Sequence, residues 1–186
     1  MYHIKKDKRS QKSAALIYDG LQQCMQKKPF DQITITDIQR ASFVSRATFY
    51  RHFDQLSDVL YWRCDQCFAE VLENYVSVKD DIYHFVHYFL DYWYSHGEIL
   101  ELLLAAQRID IIYDCHMNHM ERFFRQTAAG VDFPAEHYPY FCGIRSGIMI
   151  GILLPWLKDK KSQSIDSLFP IIRSQIDLLR NVSPFI

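Results

Sequence analysis

Apolar residues recur at three- and four-residue steps through most of the chain, the pattern of helices that bury one face. Ala14, Ile17, Leu21, Cys24 and Met25 form such a stripe in a helix predicted from Ser10 to about Lys28. Lys27 and Lys28 suit its carbonyl-rich end, and Pro29 stops it. Two short helices follow. Thr34 is placed to cap the first, with Asp37 three residues on and Ile35 and Ile38 inward, ending near Ser42. Ser45 is placed to cap the second, from Arg46 to about His52, which Val44, Phe49 and Phe53 would seat on its neighbours.

The same periodicity predicts a long helix from near Ser57 to Tyr75–Val78, and further helices from Asp80-Asp81 to about His96-Gly97, Glu98 to about Ala106, Ile109 to about Ala128, Glu136 to about Leu157, and Ser164 to about Leu179. No strand-like alternation of any length interrupts them. The expected fold is all-α with about nine helices. Its expected division is an N-terminal three-helix head, residues 1–53 with a mobile basic arm at 1–9, and a helical body, residues 54–186.

Charge sharpens that division. The net charge of −1 over 186 residues hides a split. Residues 1–52 carry ten Lys and Arg against four Asp, and the remainder carries eleven basic against eighteen acidic groups. A basic head on an acidic body points to a polyanion at the head only. No carboxylate lies between Ile38 and Phe53. Short, bent helix pairs present their second helix to the DNA major groove. Arg46, Ala47 and Thr48 are therefore the expected base readers, since Arg pairs with guanine and Ala or the Thr methyl touches thymine. Tyr50, Arg51 and His52, the helix starts at Thr34, Thr36 and Ser45, and Lys5 and Lys6 in the arm are the expected phosphate contacts.

The run ITITDIQRASFVSRATFYRHF resembles the DNA-binding motif of TetR-family (tetracycline repressor-like) transcriptional regulators. Thr34, Asp37, Ile38, Val44, Ser45, Thr48, Phe49, Tyr50, His52 and Phe53 carry the match. Two positions depart from it. Ser42-Phe43 replaces the usual Ala-Gly of the turn, which implies strain or a different turn at Phe43. Leu56 replaces a Lys that commonly meets a phosphate. The resemblance implies a homodimeric repressor on a near-palindromic operator, released by an effector held in the body.

The family's last two long helices form a dimer interface. Here they carry Gly143, Gly147 and Gly151 on one face, and Phe169, Ile172 and Ile176. Glycine costs a helix roughly 1 kcal/mol relative to Ala, so three on one stripe suit a closely approaching helix. Packing inside the monomer is the alternative. For an effector pocket the family offers no shared motif. The aromatic-rich body residues Trp62, Phe85, Tyr88, Phe89, Trp93, Ile112, Met120 and Phe124 are candidates, plain core being the alternative.

Other chemistry is thinner. The five cysteines are odd in number and lie mostly in apolar helical contexts, as expected of reduced thiols in the cytoplasm. Cys64-x-x-Cys67 lacks the second ligand pair of a zinc site. His84-x-x-His87 and His116-x-x-His119 lack a third ligand, and surface or cavity histidines are the plainer reading. No phosphate loop, nucleophile elbow or HExxH motif is present, so neither an enzyme nor a cofactor is expected. The polar, basic start is unlike a signal peptide. The longest apolar run, Ile148 to Leu157, is about half a membrane span, and a soluble cytoplasmic protein is expected. A body that binds a protein partner, and a metal or redox sensor using His and Cys, are the competing functions.

Overall fold

The computed structural model describes residues 1–75, 82–127 and 134–181. Among them are nine α-helices: α1 (Lys8–Met25), α2 (Ile35–Ser42), α3 (Arg46–His52), α4 (Leu56–Tyr75), α5 (Ile82–His96), α6 (Glu98–Ala105), α7 (Ile109–Thr127), α8 (Tyr138–Lys158) and α9 (Ile165–Asn181). The chain divides into two compact units. The first comprises Met1–Ala69 with Glu98–His119, and the second Glu70–Gly97 with Met120–Ile186.

In the first unit, α1 is laid down by its apolar stripe. Ala14, Ile17 and Leu21 are fully buried, and Asp7 caps the helix by accepting from the Ser10 amide at 2.9 Å. The helix ends at Met25, three residues before the expected Lys28. Gly20 explains how closely α2 can approach. A Cβ added there would lie 2.9 Å from the Ser42 Cβ, and Ser42 is itself buried. Small residues on both helices thus replace a side-chain layer with backbone-level contact.

The extreme N-terminus corrects the expectation of a mobile arm. Tyr2 makes an antiparallel bridge with Phe53, and the His3 amide donates to the His52 carbonyl at 2.8 Å. The Tyr2 hydroxyl donates to the Asp65 carboxylate at 2.6 Å. Burial of the phenol and the neighbouring carboxylate both hold its pKa above the ordinary tyrosine value. Lys5 and Lys6 remain exposed between this bridge and α1.

The core of the first unit continues through α4, α6 and α7. Phe53 meets Trp62 edge to face at 6.0 Å. Cys64, Cys67 and Cys115 are fully buried, and the Cys115 thiol donates to the Tyr61 carbonyl at 3.8 Å. Burial, above all, raises the Cys64 thiol well beyond its usual range, which keeps it protonated and inert. His116 and His119, expected near a surface or cavity, are buried instead, at 6% and 7% exposure. Both rings pack on Phe68, and His119 Nε2 lies 2.8 Å from Asp65 Oδ1. Asp65 therefore joins the N-terminal bridge to α7.

In the second unit, Phe85, Phe89 and Trp93 succeed one another along α5 with ring separations of 5.9 and 6.0 Å. Gly97 follows the last helical residue, but its backbone is not left-handed. A Cβ there would collide with the Trp93 carbonyl oxygen at 2.2 Å, so clearance is what demands glycine. Pro155 lies one turn before the end of α8, and left-handed Lys160 and Lys161 then reverse the chain. The Trp156 indole fixes this turn by donating to the Gln163 carbonyl at 3.0 Å.

Helix α9 packs against α5. Phe169 meets the His87 ring at 5.2 Å, the Tyr83 hydroxyl donates to Asp177, and the Arg173 guanidinium lies 4.8 Å above the Tyr83 ring. Helix α8 is long and apolar enough by length and composition to cross a membrane. It exceeds the expected apolar run because Tyr140, Phe141, Cys142 and Ile144, which precede Ile148, extend the segment. Yet it carries Arg145, stacked 4.5 Å over Phe141, and one of its faces is built into the second unit.

Candidate nucleic-acid interface

Helix α2 starts where its sequence requires. The Thr34 hydroxyl accepts from the Asp37 amide at 3.3 Å, and the Asp37 carboxylate accepts from the Thr34 amide at 2.8 Å. This reciprocal capping box satisfies two of the donors that a helix start leaves free. Lys28 Nζ reaches the same carboxylate at 2.6 Å. The Lys28 hydrogen bond first, and then those from Thr34, hold the Asp37 carboxyl far below its ordinary range. The α2 start is thereby pinned to the turn that follows α1.

The turn that follows passes through Phe43, whose φ of 56° is left-handed. For a residue with a Cβ this conformation costs roughly 1–2 kcal/mol. The expected strain at the Phe-for-Gly position is thus present. The Ser42 hydroxyl donates to the Ile38 carbonyl at 2.7 Å and accepts from the Val44 amide at 3.2 Å, which holds the turn closed. Ser45 then caps α3, its hydroxyl accepting from the Thr48 amide at 3.2 Å.

Helix α3 has only seven residues, and its two faces differ sharply. Phe49 is 1% exposed and packs on Phe53 at 5.7 Å. Arg46, Ala47 and Arg51 are exposed, and Tyr50 is 49% exposed. Thr48 is half-buried, with its hydroxyl 3.0 Å from that of Ser45. Thr34, Thr36 and Ser45 are exposed at the helix starts.

His52 departs from the expected outward ring. It is 4% exposed, and its Nδ1 has no hydrogen-bond partner. Burial, and then the Arg51 charge, lower its pKa below the ordinary histidine value. A neutral, enclosed imidazole does not supply a cation to a phosphate. The Phe49-to-His52 step is three residues, so both fall on the buried face of α3.

An open groove of about 460 Å³ runs past the exposed Tyr50 of α3. Thr34, Tyr50, Leu56 and Ser57 line it, joining the starts of α2 and α4 to the end of α3. Arg108, from the turn before α7, enters the same groove and is held by a two-pronged pair with Asp110 at 2.7–3.1 Å. Nothing in the sequence pattern singled out Arg108, because its place depends on contact with a head more than fifty residues earlier.

The candidate effector residues are divided between the two units. Trp62 and Ile112 are buried in the first, where Trp62 supports Phe53. Phe85, Tyr88, Phe89, Trp93 and Met120 belong to the second, where Phe89, Trp93 and Met120 are buried and Phe85 and Tyr88 half-buried. The Phe124 side chain lies outside the described residues. Among the described residues, no group of three or more His, Cys, Asp and Glu is placed to hold a metal ion. His87 is instead paired with Asp91 at 2.9 Å.

The candidate interface residues also divide. Gly147 and Gly151 face open space, with nothing within 4 Å of an added Cβ, and Gly143 is half-buried. Phe169 and Ile172 turn the other way, Phe169 onto His87 and Ile172 to 7% exposure. The Ile176 side chain lies outside the described residues. Among the described residues of α9, Ile171 is exposed, at 61%. On α8, Tyr140, Ile144 and Ile148 are exposed and share the Gly147–Gly151 face by helical spacing.

Helices α2 and α3 form a helix-turn-helix in a chain whose other described elements are also helical. The chain has the all-α fold of the TetR transcriptional regulators. It is similar to a TetR transcriptional regulator from Streptococcus agalactiae 2603V, with a TM-score of 0.60 and 18% identity over 92% of this chain and 97% of that one. It is also similar to Lin0861 from Listeria innocua, with a TM-score of 0.80 and 16% identity over 95% and 96% of the two chains. The dihydroxyacetone kinase operon activator DhaS gives a TM-score of 0.51 at 17% identity over 90% and 95%. No family model and no curated protein matches the sequence.

Proposed function

We propose that this chain is a DNA-binding transcriptional regulator that occupies a near-palindromic operator as a homodimer. The observation that carries the reading is the outward face of α3. Arg46, Ala47, Tyr50 and Arg51 stand exposed on a helix anchored by Phe49 and His52, with no carboxylate between Ile38 and Phe53. Arg46 and Ala47 read base edges, with the Thr48 methyl beside them. Tyr50, Arg51, the exposed Lys5 and Lys6, and the helix starts at Thr34, Thr36 and Ser45 hold phosphates.

Two such faces need a dimer to meet successive major grooves. The uncovered stripe of Tyr140, Ile144, Gly147, Ile148 and Gly151 on α8, with Ile171 on α9, supports a second copy as its cover. This is the place proposed for the interface, with residues 54–186 as the body that carries it. An effector held by the body shifts the spacing of the two heads, with a coupling of about 1–3 kcal/mol. Repression by promoter occupancy, in the cytoplasm and without catalysis, is the resulting activity.

DhaS is an operon activator, and its likeness in fold favours one second reading, in which the bound dimer recruits rather than blocks polymerase. Selection of duplexes from a random-sequence pool, followed by transcription from a promoter carrying the selected site, tests both. A selected near-palindrome and reduced transcript support repression. Increased transcript supports activation. Failure to select any duplex at low salt overturns the DNA-binding reading.

A further inference from the structure

Phe43 is the least covered large apolar residue of the described head, at 94% exposure. It also occupies the left-handed region, at φ 56°, where a bulky residue is an outlier and glycine is at ease. Either fact alone is ordinary. Together they mean that a large apolar ring is kept, against backbone preference, where it makes no use of the core. Strain retained at one position is a pointer to function there.

Its location gives the function a direction. Phe43 lies two residues before the cap of α3, the end from which a recognition helix contacts base edges. Arg40 and Arg46 on either side are exposed. For an exposed phenyl ring in a basic, acid-free setting, the apolar group among the base edges of the major groove is the C5-methyl of thymine.

We infer that Phe43 is a specificity-determining residue whose ring packs on thymine methyl groups beside the bases read by Arg46 and Ala47. This rests on the DNA-binding reading above and deepens it. The ring adds an apolar term to a surface otherwise built for charge. It favours sites with thymine at the flank of each half-site.

The test uses the full-length chain and the duplex that it selects from a random-sequence pool. Affinities are measured for the wild type, Phe43→Gly and Phe43→Leu. Each is titrated against that duplex and against copies with single thymines replaced by deoxyuridine, which lacks only the methyl. The wild type loses about fourfold at one or two flanking positions, the value of one buried methyl-sized group. Phe43→Gly binds the unmodified duplex about three- to tenfold more weakly and no longer senses those methyls. Phe43→Leu, still apolar, keeps the methyl sensitivity. The melting midpoint of Phe43→Gly is equal to or above that of the wild type, because its turn is relaxed.

Unchanged affinity and methyl sensitivity in Phe43→Gly overturn the inference. So does an equal loss on every duplex, which assigns the ring to the sugar-phosphate backbone, or a lowered midpoint, which assigns it to packing. A wild type that selects no duplex removes the DNA-binding reading and this inference with it. Selection by the wild type without methyl sensitivity removes this inference alone.

Discussion

Helices α3 and α8 each bury one face and leave the other open, but the open faces are chemically opposite. On α3 the exposed residues are Arg46, Ala47, Tyr50 and Arg51, while Phe49 is sealed inside. On α8 the buried face holds Cys142, Ser146, Met149, Leu153 and Trp156, and the open face holds Tyr140, Ile144 and Ile148 with Gly147 and Gly151. A basic open face is satisfied by water until a polyanion displaces its counterions. An apolar open face leaves area in water that only another apolar surface removes. Under the proposed function the two helices serve different classes of partner, DNA for one and a second copy of the chain for the other.

The largest effect expected from this contrast comes from Gly147→Leu. In the isolated chain the new side chain meets open space, and replacing a helical glycine with leucine favours the helix by roughly 0.8 kcal/mol. Loss of the dimer in sedimentation, with intact helicity and operator affinity weakened by two orders of magnitude or more, is the expected outcome. A dimer that persists would show that this face has another use. Tyr50→Phe tests the other helix more gently. It removes one phosphate donor and should weaken binding by about 1 kcal/mol on selected and unrelated duplexes alike. A change in base preference would count against that role.

Thr34→Ala removes half of the capping box and should destabilise the head by about 1 kcal/mol, read as a lower denaturation midpoint. No change would mean that Lys28 and Asp37 hold α2 by themselves. The smallest effect is a pH dependence at His52. Its folded pKa lies below the ordinary 6.5, so the unfolded chain takes up the proton first. Stability is then full above about 6.5 and falls as pH drops from there to the folded value. His52→Phe lacks that proton and should lose less stability between pH 7 and 5. Parallel curves for the two proteins would place the imidazole in water.

The same contrast explains what the sequence could reveal. Thr34, Asp37 and Ser45 announce helix starts because capping is local, involving residues three apart. Arg46 and Phe49 separate cleanly, since charge and aromaticity seldom share an environment. His52 did not, because histidine suits either face and a seven-residue helix offers too few turns to settle its phase. On α9, spacing placed Ile172 with Phe169 on one stripe, but it could not say whether that stripe meets α5 or a second copy. The Tyr2–Phe53 bridge and the entry of Arg108 into the groove join residues some fifty or more apart. No local pattern encodes either of them. Gly20 escaped notice for the same reason, its need for glycine being set by Ser42 on another helix.

Base reading by the outward face of α3 underlies everything proposed for this chain, and Arg46→Ala probes it at the residue itself. Dissociation constants are measured for the wild type and the variant on the selected duplex and on an unrelated duplex at matched salt. A base-reading Arg46 gives a loss of about 1–3 kcal/mol on the selected duplex and a much smaller loss on the unrelated one. Equal losses on both duplexes, or none on either, would show that the helix does not read sequence through this residue.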